Sequence, residues 1–359
     1  MDESTKLNEL LHLAVEEGAS DLHLTVGCHP AIRIDGHLRF LTDYDVLTPE
    51  HTARMVATSL TDHQRQRLES QLDLDLPFSL PGISRFRVNV YHQRGSLALA
   101  IRVIPAQIPS LDELEMPTIL KTLTERRSGL ILVTGPTGVG KSTTLAAMIR
   151  QINRNRSHHI ITIEDPVEYL HHHDRSIINQ REVGTDVRDF AGGLRSALRE
   201  DPDIIMVGEM RDLETTETAL IAAETGHLVM ASLHTRDAAS TVDRIIDQFP
   251  SHQQPQIRAM LSGVLEAVVS QQLLSRRAGK GRIAALEIMI STPAIRNLVR
   301  EGKAHMLTGV IQTGTRYGMQ TMDQGLADLY RAGRIAYDDA MSSAYDSEEL
   351  SKIIGGGGV

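Results

Sequence analysis

The stretch GPTGVGKSTT, residues 135–144, sits between the apolar run GLILVT and the helical pattern LAAMIRQINR. Its spacing, Gly135-x4-Gly140-Lys141-Ser142, puts a glycine-rich turn between a strand and a helix, the context a phosphate-binding loop requires. Glycines let main-chain amides turn toward an anion with no side chain in the way. The amino end of the following helix adds partial positive charge. Gly135, Pro136, Thr137, Gly138, Val139, Gly140, Lys141, Ser142 and Thr143 are therefore expected to wrap the phosphates of ATP. Lys141 should reach the β- and γ-phosphates, and the Ser142 hydroxyl should ligate Mg²⁺. The alternative is a turn that binds nothing, and the strand-loop-helix context speaks against it.

Hydrolysis needs more than a cradle, and three further apolar runs end in groups that supply it. DIIMVGE ends in Glu209, a carboxylate for Mg²⁺, with Gly208 where an aspartate is usual; a solvated strand-end glutamate is the competing reading. HIITIEDPVEY offers Glu164 and Asp165 before Pro166, candidates for general base and metal positioning, or else a surface turn. TGHLVMASLHT closes on His234, which would sense the γ-phosphate, bridge to a neighbouring subunit, or sit buried and hydrogen-bonded.

These runs alternate with helical patterns near 141–154, 186–200 and 212–225, the signature of a mostly parallel α/β sheet. Residues 237–345 read as largely helical apart from RIAALEIMI. Upstream, residues 7–17 have helical spacing, DLHLTV and AIRIDGHLRFL read as short strands, and Asp35-Gly36 signals a hairpin. Helical patterns near 48–60 and 62–71 precede the strands SRFRVNVYHQ and SLALAIRVI. Three prolines in PAQIPSLDELEMP mark a linker. The expected organisation is an α+β domain over 1–103, a linker over 104–117 and an α/β domain with a helical C-terminal part over 118–359.

Composition narrows the classes. The 359 residues carry a net charge of −9, which argues against a protein built chiefly to grip nucleic acid. Cys28 is the one cysteine, so no internal disulfide or cysteine-rich zinc site can form, and a reducing cytoplasm fits. The start, MDESTKLNELLHLAVEEGASD, is acidic and amphipathic, unlike a signal peptide, and no run approaches the roughly 20 apolar residues of a membrane span. Work at a membrane would then require recruitment by another protein. Three histidines at 171–173 point in alternating directions on an extended chain, which favours a solvated loop over a shared metal.

Taken in order, the phosphate loop, ITIEDPVEY, the Gly-Glu strand end and TGHLVMASLHT resemble the secretion ATPase superfamily. Within it the chain resembles the type IV pilus retraction ATPases: it lacks the four-cysteine module of assembly and type II secretion ATPases, and AIRNLVREGK at 294–303 is similar to their AIRNLIRE signature. GASDLHLTVG resembles their compact PAS-like N-terminal domain. The resemblance implies a PAS-like α+β domain joined to a RecA-like P-loop ATPase domain. It makes Glu164 the general base, Glu209 the carboxylate acting through Mg²⁺ and His234 a nucleotide-site group, with His227 a weaker candidate. It also implies a cytoplasmic homohexamer, recruited peripherally to the inner membrane by a pilus platform protein and acting on pilin indirectly. In such a ring Arg85, Arg87 and Arg102 would meet a neighbour's nucleotide; a solvated basic face is the alternative. Val139 and Ser232 depart from the usual family residues without removing a required donor. Rival readings are an assembly or type II secretion motor, an auxiliary retraction ATPase, a nucleotide-binding regulator without turnover, and a DNA-transfer motor.

Overall fold

The computed structural model of the protein describes residues 3–34, 36–80, 83–104, 107–279 and 281–355. They divide into two units, Met1–Gln107 with Glu168–Leu170, and Ile108–Val167 with His171–Val359. Asp35 of the expected hairpin and Pro105 and Ala106 of the expected linker lie outside the described residues.

The first unit opens with α1 (Glu3–Glu16), whose Leu7, Leu10, Leu11 and Ala14 recur at helical spacing and are buried. Strands β1 (Asp21–Leu24), β2 (Ala31–Ile34) and β3 (His37–Phe40) follow, then α2 (Pro49–Ser59) and α3 (Asp62–Gln71). Thr48 and Thr61 cap these two helices, each within a reciprocal capping box. Three longer strands finish the unit: β4 (Asp73–Leu80), β5 (Ser84–Gln93) and β6 (Ser96–Ile104). All pair antiparallel in the order β3-β2-β1-β6-β5-β4. Along β5 the residues Phe86, Val88 and Val90 turn inward, so Arg85, Arg87 and Asn89 lie on the other face.

The second unit holds a seven-stranded sheet in the order β13-β12-β7-β11-β10-β8-β9. Here α4 is Ile119–Leu123, β7 Gly129–Thr134, α5 Lys141–Asn155, β8 His159–Glu164, β9 Ile177–Glu182, α6 Phe190–Ala197 and β10 Ile204–Val207. Next come α7 (Leu213–Glu224), β11 (Leu228–Leu233), α8 (Ala238–Asp247), α9 (Gln254–Val264), β12 (Leu265–Ser275) and β13 (Arg282–Ile290). Every pair is parallel except β12 with β13. Strands β7, β10 and β11 are buried along their whole length, as unbroken apolar runs must be in a sheet covered on both faces. Beyond β13 lie α10 (Pro293–Glu301), α11 (Leu307–Gln312), α12 (Met322–Arg331), α13 (Tyr337–Ser343) and α14 (Ser347–Gly355).

This is the expected fold class, an N-terminal α+β domain and a RecA-like ATPase domain, with one correction. Residues 265–275 are not helical: they form β12, inserted beside the central β7. From Ile108 onward the proline-rich segment is part of the second unit, with Leu111 buried and Arg150 donating to the Ile108 carbonyl and, at 3.0 Å, to Glu113. Among the described residues no helix is long and apolar enough to cross a membrane.

Candidate active site

The register of the parallel strands brings their carboxyl ends together: Thr134 of β7 pairs with Leu233 of β11, and Val207 of β10 with Ile163 of β8. In open α/β sheets this is the edge where ligands gather. The loop Gly135–Gly140 leaves β7 here and enters α5. Gly135 has φ 141°, and a Cβ on it would stand 2.4 Å from the Gln271 carbonyl oxygen, so no side chain fits. Pro136, Thr137 and Gly138 are exposed, Val139 and Gly140 half-buried. On the first turn of α5 Ser142 is exposed and Thr143 half-buried. Lys141 is buried, and its ammonium donates to the carbonyls of Gly135 at 2.8 Å and Pro136 at 3.0 Å.

Glu209 follows β10 and lies between two cations or donors. Arg211 Nε is 2.7 Å from its Oε2, and His234 Nε2, at the end of β11, is 2.9 Å from its Oε1. Burial pushes the Glu209 carboxyl up, but the hydrogen bonds from Arg211 and His234, with the arginine's charge, outweigh it and hold the pKa below the ordinary value. His234 Nδ1 is 3.4 Å from Lys141 Nζ. An ammonium only donates and a carboxylate only accepts, so the neutral imidazole protonated on Nε2 satisfies both neighbours. With its side chain 39 % exposed, His234 is not the buried core histidine that the sequence left open.

Glu164 ends β8, buried, with Oε1 accepting from Thr162 Oγ1 at 2.6 Å and from Gln180 Nε2 at 3.0 Å. Gln180 also accepts from the His171 backbone N–H at 2.8 Å through its Oε1, so the first residue of the histidine run is tied to the side chain that orients Glu164. His173 accepts from Ile178 N through Nδ1. Asp165 is exposed and precedes a cis Pro166. Gly208 has a physical reason: a Cβ there would lie 3.2 Å from the Ile163 carbonyl oxygen and 3.4 Å from Glu164 Cα. The aspartate usual at this position would press on the strand that carries Glu164.

Lys141, Ser142, Glu164, Glu209 and His234 thus share one end of one sheet. His227 does not: it starts at the opposite end of β11, where Nδ1 is 3.0 Å from the Ala222 carbonyl oxygen. Arg85, Arg87 and Arg102 belong to the first unit. Arg87 pairs in register with Arg102, and the two are held by Asp75 at 3.3 Å and Asp21 at 3.1 Å. Sequence reasoning missed Arg211, Gln180 and Gln271. The signal for Gln271 was present in SQQLL, two amides inside an apolar run.

The profile of the type II/IV secretion system protein family matches residues 4–330. A Pseudomonas aeruginosa protein named type IV pilus retractation ATPase PilT is 48% identical over 338 residues, covering 94% of this chain and 98% of that one. A Neisseria gonorrhoeae twitching motility protein is 49% identical over 324 residues, 90% of this chain and 86% of that one. The crystal structure of the pilus retraction motor PilT with bound ADP superposes with a TM-score of 0.90 at 50% identity, covering 98% of this chain and 99% of that one. Two units, a phosphate loop and three strand-end groups are what this matched length carries, and the chain belongs to the type II/IV secretion system protein family.

Proposed function

We propose that this chain is an ATP-hydrolysing motor that powers type IV pilus retraction. The observation that carries the reading is the near full-length similarity to a retraction ATPase, joined to a site where Lys141, Glu209 and His234 are in contact. Loop amides and Lys141 bind the phosphates, with the lysine exchanging loop carbonyls for phosphate oxygens. Glu164 is the general base, its carboxylate aimed by Thr162 and Gln180. Glu209 is anionic at neutral pH, and its hydrogen bonds with Arg211 and His234 favour that form further. His234 is placed to sense the phosphate that Lys141 contacts.

The exposed Ser142 hydroxyl and the Glu209 carboxylate are hard oxygen donors and fit Mg²⁺, which would neutralise phosphate charge when bound. Working as a homohexamer, the chain would offer Arg85, Arg87 and Arg102 to a neighbour's nucleotide, with residues 1–103 and the unit from Ile108 onward as moving domains. An inner-membrane platform protein would recruit the ring from the cytoplasm and pass its motion to pilin. Steady-state phosphate release by the purified protein tests the enzymatic half: turnover abolished by Lys141→Ala supports it, and no turnover by the intact hexamer contradicts it.

A further inference from the structure

We infer that Gln271, from the strand beside the phosphate loop, is the positioning residue that fixes the loop in its binding geometry. Its amide bridges two points of the loop and helix: Nε2 donates to the Val139 carbonyl at 2.5 Å, and Oε1 accepts from Thr144 Oγ1 at 2.8 Å. The orientation is set by chemistry, because a carbonyl accepts only while a hydroxyl can donate. The side chain is 2% exposed, so water cannot replace either partner. One residue earlier, Ser270 accepts from Thr134 Oγ1 at 2.9 Å, tying the strand before the loop to the same place on β12. The Gln271 main chain also bounds the loop's entry, since its carbonyl oxygen is what a side chain at Gly135 would strike. Entry, exit and first helical turn are therefore all referenced to one residue. A neutral amide offers a donor and an acceptor on one planar head, which a carboxylate does not. Holding amide groups in place before the ligand arrives lowers the ordering cost of binding.

This inference rests on the loop holding a nucleotide, and the test separates the two. Binding of a fluorescent ADP analogue, mant-ADP with Mg²⁺, is titrated against wild type, Gln271→Glu, Thr144→Val and Thr144→Ser, with melting curves on the nucleotide-free proteins. Gln271→Glu keeps the contact to Thr144 but sets a carboxylate against the Val139 carbonyl. It should weaken binding by about 10-fold or more in the protein that remains folded, beyond whatever the buried carboxylate costs in melting temperature. In steady state KM should rise more than kcat falls, as lost ground-state binding requires. A purely structural role would lower melting temperature and leave the affinity of folded protein unchanged, which would overturn the inference. Should Gln271→Glu not fold, the Thr144 pair decides: Thr144→Ser near wild type with Thr144→Val weaker supports it, and equal affinities overturn it. A wild type that binds no mant-ADP removes the nucleotide reading, and the inference with it.

Discussion

His234 Nε2 lies 2.9 Å from Glu209 Oε1, and the same imidazole reaches Lys141 Nζ at 3.4 Å through its other nitrogen. One ring therefore joins the end of β11 to the strand-end carboxylate and to the phosphate loop. The link is directional, since the lysine donates to Nδ1 and Nε2 donates to the glutamate.

Glu209→Gln should bind ATP with near wild-type affinity and lose turnover by roughly 100-fold or more, because the amide keeps the shape and removes the charge. Lys141→Ala should weaken binding itself. Nucleotide titration beside phosphate release separates the two. Near-normal turnover by Glu209→Gln would refute its assignment.

The proposed ring predicts a mixing effect. Arg85→Ala or Arg87→Ala should depress ATPase activity although neither residue belongs to the unit with the phosphate loop. Adding Lys141→Ala subunits, which are inactive but carry the arginines, should restore part of it. Unrescued mixtures with intact hexamers by light scattering would argue for the solvated basic face.

Glu287 gives a pH signature. Burial raises its carboxyl to about 7, against accepted hydrogen bonds from helix-end amides that oppose the shift, including Ala238 N at 2.8 Å. The folded state then binds the proton more tightly than the unfolded state, whose value is 4.5. The resulting stability, about 3 kcal/mol, is complete below the unfolded value and is lost as pH rises through the folded one. Glu287→Gln should match wild type in melting temperature at acid pH and exceed it under alkaline conditions. A difference independent of pH would contradict this.

Helix α10 separates packing from work. Ile295 and Val299 are buried, at 0% and 1% exposure, and Leu298 is half-buried against the same core. The apolar stripe is thus real, and Ile295→Ala should cost about 2–5 kcal/mol and lower ATPase and stability together. Leu298→Ala should melt close to wild type and hydrolyse ATP yet fail to restore twitching in a deletion strain. Normal motility from stable Leu298→Ala protein would end the proposed role of that residue.

Much of the site was legible because its parts are contiguous. The phosphate loop is one motif, and Glu164, Glu209 and His234 each end an apolar run. Other elements left weak signals for identifiable reasons. Strand β4 carries Pro77, tolerated because β4 is an edge. Strand β12 follows α9 directly at Val264–Leu265 and is buried on both faces, so neither a turn nor an alternation marks it. Gln271 and Gln180 act on residues 132 and 16 positions away, a pairing that only the sheet order creates. The basic face built by Arg87 and Arg102 was half visible, since alternation gives the face and pairing gives the neighbour.

The central claim is retraction driven by hydrolysis, and twitching with surface pilus counts in a deletion strain tests it most directly. The account predicts cells that carry pili but do not twitch, restored by the wild-type gene and not by Glu209→Gln. Bald cells, or deletion cells that twitch normally, would contradict it.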